Sequence, residues 1–179
     1  MHNRVNILLL AVMLLAGCNN VANKESPAEI VNARTIHRSM LCNGLQAAPL
    51  LRWITAEGVY FEMYPLVVSD HSDGRHASPP GVNFSEDAVL LISMGQRRTA
   101  GYNLELSRDP PLLRDGELTV PIVWTVPAEG LFVAQVITHP CFILTLPRRD
   151  IRSVTVMDQS GSVLLSGEIK EIEKTIGAW

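Results

Sequence analysis

From Ala88 onward the chain settles into short apolar runs separated by turn residues. Ala88–Met94 is apolar almost without interruption, the pattern of a strand buried on both faces. Gly101–Ser107 alternates, with Tyr102, Leu104 and Leu106 on one side. Leu118, Val120, Ile122, Trp124 and Val126 alternate in the same way, and Phe132, Ala134 and Val136 continue the pattern after Pro127-Ala128-Glu129-Gly130. Phe142, Leu144 and Leu146 follow Pro140. Val154 and Val156 face Val163 and Leu165 across Asp158–Ser162, a hairpin signal. Short strands at regular spacing predict a mainly β fold, an antiparallel β-sandwich or partly open barrel. Gly95–Ala100, between two of these strands, reads as the tip of a hairpin.

Upstream the pattern is mixed. Leu50–Val68 fits two strands around Ala56-Glu57-Gly58, or a strand ending at Ile54 and a helix capped by Thr55. The second reading is favoured and places one short helix near residues 56–66. Ser69–Gly81 is rich in Ser, Pro, Gly and Asp and reads as a long loop. Residues 18–34 are polar and aperiodic, as in a flexible tether, so the β domain is expected over 35–169, with a tail at 170–179.

The N-terminus carries a different pattern. His2 and Arg4 precede an apolar stretch from Val5 that falls short of the roughly 20 residues a spanning helix needs. It ends in Leu15-Ala16-Gly17-Cys18, which looks like a bacterial lipobox. Small side chains suit a peptidase cut before Cys18, and its thiol is the acceptor for lipid. Residues 1–17 are thus expected to be a lipoprotein signal peptide. Acyl chains hold by burying CH₂ groups, at about 0.8 kcal/mol each. Asn19, rather than Asp, after the cysteine fits outer-membrane sorting and a domain facing the periplasm.

Removing that segment leaves 162 residues (179 − 17), an ordinary size for one domain. Loss of Arg4 takes the net charge from −3 to about −4, with no clustered basic excess of the kind a nucleic-acid binder shows. Cys42 and Cys141 remain. In an oxidising compartment they are either one disulfide or two buried free thiols.

Candidate chemistry is sparse. His71 and His76 with Asp70 or Asp73 form the densest group of ligand types, but their spacing matches neither a zinc motif nor an EF-hand, so no metal or other cofactor is expected. There is no Gly-x-Ser-x-Gly elbow. His139 and Cys141 lie two apart in a strand pattern, yet the apolar run after Cys141 argues for burial rather than an activated thiol. Trp53 and Trp124 read as core and Trp179 as tail. Arg148-Arg149-Asp150 reads as a solvated turn, or as part of a basic face with Arg97 and Arg98 if the fold unites them.

The stretch Val82–Leu106 resembles the PrcB C-terminal domain family, named after a lipoprotein subunit of a bacterial protease complex. The family's hallmark is a strand, a Gly-x-(Lys/Arg)-x-Thr-Gly-Gly-Tyr loop and an alternating strand. Gly95, Arg97, Thr99, Gly101 and Tyr102 match it. Arg98 stands where the family often has proline, and Ala100 where it often has glycine. "THPCFILTLP" resembles a second block, with Cys141 in place of a tyrosine. The likeness covers about residues 82–148 and extends more weakly from Trp53. It implies a β-rich, non-catalytic module that supports assembly of a partner protein.

These readings converge on a lipid-anchored envelope protein, not an enzyme, that meets another envelope protein, a protease among the candidates, through Gly95–Tyr102. Gly95 and Gly101 are expected where the backbone needs freedom from a Cβ. Thr99 is expected to hold the loop by hydrogen bonding and Tyr102 to anchor it. Arg97 and Arg98, which turn-making does not require, are the expected contacts. Two alternatives stand: an Ig-like protease inhibitor presenting the same loop, and a purely structural envelope lipoprotein.

Overall fold

The computed structural model describes residues 26–42, 44–68 and 78–169. In chain order the elements are β1 (Glu29–Ile30), β2 (Arg34–Ser39), β3 (Leu50–Ile54), α1 (Glu57–Val67), β4 (Asp87–Ser93), β5 (Asn103–Leu106), β6 (Leu112–Arg114), β7 (Glu117–Thr125), β8 (Cys141–Pro147), β9 (Ser153–Met157) and β10 (Val163–Glu168). The signal segment, Cys18, the Asp70–His76 cluster and Trp179 lie outside the described residues.

The strands form two sheets packed face to face, a β-sandwich. One runs β2-β8-β4-β3; the other runs β1-β6-β7-β9-β10, with β5 also on β7. The main core lies between them. Leu90, Ile92, Phe142 and Leu144 come from the first sheet, and Leu118, Val120, Ile122, Val154 and Val156 from the second. The unbroken apolar run of β4 has its cause here. Its other face, Val89 and Leu91, packs with Ile143 under Tyr60, Met63 and Val67 of α1. One strand therefore serves two cores, and neither parity can be polar. Fully burying one such aliphatic side chain contributes about 1.5–3 kcal/mol.

Several expectations change. The second sheet is mixed: β9 runs parallel to β7, from Glu117↔Ser153 to Pro121↔Met157. After β7 the chain crosses to the first sheet as β8 and comes back as β9, so β8 supplies the return path a parallel pair requires. Paired backbone begins at Glu29 rather than Thr35, with Val31 already in the core. The helix is present, but its N-cap is Ala56 and no side chain caps it, so Thr55 does not have that role. Pro65 lies in the last turn, and the Gly44 N–H satisfies the free Leu66 carbonyl at 3.1 Å. The expected strand at Phe132–Val136 is not formed; that segment is irregular. Its alternating residues find no second sheet face to cover, and Phe132 is 103% exposed. Trp53 is core as expected, whereas Trp124 is only half-buried against it.

Candidate functional site

The segment Gly95–Tyr102 is not a hairpin tip. Both edges of β4 are occupied, by β3 and β8, so β5 leaves to pair with β7 in the other sheet, from Asn103↔Thr125 to Leu106↔Ile122. The segment is a crossover between sheets, pinned on two sides. On one side Gly95, at φ 72°, passes so close to the chain that a Cβ would sit 2.4 Å from the Ala47 carbonyl oxygen. The Gln96 N–H then donates to that carbonyl at 2.8 Å, and the Ser93 hydroxyl accepts from the Gly95 N–H at 3.0 Å.

On the other side Thr138 acts as a clasp. Arg97 and Thr138 exchange both backbone hydrogen bonds, at 2.8 and 2.9 Å. The Thr138 hydroxyl donates to the Thr99 carbonyl at 3.1 Å, and the Ala100 N–H donates to Ala134 at 2.9 Å. Thr99 thus shapes the loop through its backbone carbonyl. Gly101, at φ 90°, lies beneath Pro127 and Val133, with room for a Cβ only 3.0 Å from the proline ring.

The two arginines separate into different roles. Arg97 turns inward: its guanidinium donates to the Met94 carbonyl at 2.7 Å and lies 5.4 Å from the centre of the Tyr102 ring. Tyr102 is half-buried against the main core, so this stack anchors the loop. Arg98 is exposed. Arg148 and Arg149 do not join them. Along the β4–β8 ladder Ser93↔Cys141 marks the loop end and Asp87↔Pro147 the other, about 20 Å away at the rise of a strand. There Arg148 donates to the Phe84 carbonyl and Arg149 pairs with Glu29 at 3.2 Å.

Cys42 and Cys141 are joined in a disulfide, Cα atoms 6.1 Å apart and both side chains fully buried. It fastens the start of β8 to the segment after β2, directly behind the crossover. The bond leaves Cys141 no free thiol, and its neighbour His139 has its pKa lowered by burial. Beside the disulfide, under α1, Tyr60 and Tyr64 stack edge to face at 5.5 Å and His37 meets Tyr64 at 6.0 Å. Burial raises both tyrosines and lowers His37, which favours the neutral form of each. Among the described residues no three His, Cys, Asp or Glu side chains converge as a metal site, and no helix is long and apolar enough to cross a membrane.

The feature that sequence patterning missed is the arm that follows β7. Val126, Leu131, Phe132, Val136 and Ile137 are all exposed, beside the crossover and at the same pole. A signal was present: Leu131–Ile137 is apolar at both parities, which an alternating half-buried strand is not.

Compared with known families, residues 88–147 match the family model described as PrcB C-terminal. That span runs from β4 through the crossover and the arm to the end of β8, so the chain carries a PrcB-like domain. No curated protein and no solved structure matches the chain.

Proposed function

We propose, from a chain whose residues 88–147 form a PrcB-like domain, that it is a non-catalytic, lipid-anchored accessory module of the cell envelope. It docks to another envelope protein, and the family's name points to a member of a protease complex. The observation that carries this reading is the match itself, whose span takes in β4 to β8 together with the crossover and the arm. Leu15-Ala16-Gly17-Cys18 supports anchoring through Cys18, and Asn19 supports the outer membrane.

The test has two arms. Growth with a labelled fatty acid tags the wild-type chain and not a Cys18→Ala variant, and the variant leaves the membrane fraction. Purification from solubilised envelopes brings down a protease, whose activity or half-life falls when this chain is deleted. An unlabelled wild-type chain removes the anchor. A protease whose level and activity are indifferent to the deletion removes the accessory role. The inhibitor alternative presents Gly95–Tyr102, where Arg98 is exposed. Loss of papain-type activity on titration with the purified chain would favour that reading.

A further inference from the structure

The geometry points to the arm Leu131–Ile137 as a strand-addition site for an extended, apolar segment of the partner protein. This rests on the docking reading and names its surface. Because Arg97 and Thr138 exchange both hydrogen bonds, Thr138 turns its backbone groups toward the crossover. Before it the segment is irregular, and the Ala134 carbonyl takes the Ala100 N–H. Between these two anchors Gln135, Val136 and Ile137 make no backbone hydrogen bond among the described residues, while His139 beyond them is bonded to Met40 and Cys42. A short edge with free donors and acceptors is a template for another strand. Around it Leu131, Phe132, Val136 and Ile137 stand in solvent, apolar surface of the kind that marks interaction sites.

Two observations select the occupant. The first is where the rest of the chain attaches. The described chain begins at Ser26 beside β1, which pairs with β6, and β6 pairs with the start of β7. The arm leaves from the end of β7, about 27 Å away at the rise of a nine-residue strand. The arm thus sits at the pole opposite the N-terminal attachment, directed away from the surface that a lipid at Cys18 would hold. The second is the free backbone itself. Hydrocarbon offers nothing to an unpaired N–H or C=O, whereas a partner strand satisfies both. Apolar side chains at alternate positions of that strand would meet Phe132 and Val136.

The experiment pans a displayed library of short unstructured peptides against the full chain in mild detergent. Peptides with apolar residues at alternating positions are expected to enrich. Their binding should weaken by about tenfold or more with Gln135→Pro, which removes an unpaired N–H, and similarly with Phe132→Ser. Ile30→Ser, an exposed apolar residue at the other pole, should leave binding unchanged. Phe132 is fully exposed, so its variant keeps the fold even if the proline variant does not. Enrichment without alternation, binding indifferent to both arm substitutions, or self-association or vesicle binding that Phe132→Ser abolishes would each overturn the inference. A protease that still co-purifies with Phe132→Ser would sink this surface while leaving the accessory role intact. Arm-dependent peptide binding without any protease partner would do the reverse.

Discussion

Reducing the Cys42–Cys141 bond tests how the crossover is held. The two residues are 99 positions apart, so the bond closes a loop of about 100 residues in the unfolded chain. By chain entropy, a loop of that length contributes about 4.7 kcal/mol. Strain and residual structure lower such figures in practice, and about 3–5 kcal/mol is the working expectation. A domain of this size has about 5–15 kcal/mol in total, so reduction should remove a large share without necessarily unfolding the chain. The assay is guanidinium unfolding followed by tryptophan fluorescence, with samples refolded from denaturant in the presence and absence of reductant. Comparing the two forms of one chain removes no side-chain atoms, unlike a Cys→Ala pair, which would add a packing term. If the two unfolding free energies agree within about 1 kcal/mol, the loop-closure argument fails. Because the bond is fully buried, reductant without denaturant should act slowly, at the rate the chain opens.

Three further outcomes follow from the same geometry. Gly95→Ala forces a Cβ to 2.4 Å from the Ala47 carbonyl at a left-handed φ, and should cost about 2 kcal/mol or more in urea unfolding, whereas Gly130→Ala, with φ 79° but open space around it, should cost less. Arg97→Ala should lose about 1–3 kcal/mol of stability through its hydrogen bond and ring stack, while Arg98→Ala leaves the thermal midpoint unchanged. Burial lowers His37 and His139 below their ordinary 6.5, so on acidification the unfolded chain binds protons that the folded chain refuses. Their contribution is intact above pH 6.5 and is lost as pH falls from there through the folded values, so unfolding midpoints should drop on acidification below about pH 6.5, less steeply in His37→Gln.

The family signature was legible because it is local: Gly95, Gly101 and Tyr102 stand where the backbone geometry and the anchor require them. So was the hairpin of β9 and β10, where Asp158 accepts from Ser160 and Ser162 and Gly161 takes a positive φ. What the loop does was not legible. It looks like a hairpin tip until the partners of β4 are known, and those partners, β3 and β8, lie about 40 and 50 residues away along the chain. Arg97 reads as a contact because turn-making does not require it; the path of the crossover folds its guanidinium back onto the neighbouring Met94 carbonyl and Tyr102 ring.

Taken by itself, the amino-acid pattern determined which faces must be covered. The run Ala88–Met94 demanded cover on both sides, and the alternating strands demanded it on one. Hydrophobic period reports which faces favour burial, and hydrophobicity is a property each residue carries with it. Only the tertiary structure decided which edge pairs with which: the parallel β7–β9 ladder, the crossover in place of a hairpin, the clasp at Thr138 and the closure of Cys42 on Cys141. Edge pairing uses backbone groups that every residue has, so side-chain pattern is silent on it. For the same reason the arm looked like one more strand. Its apolar residues stand in solvent because no second face of the sandwich remained for them to cover.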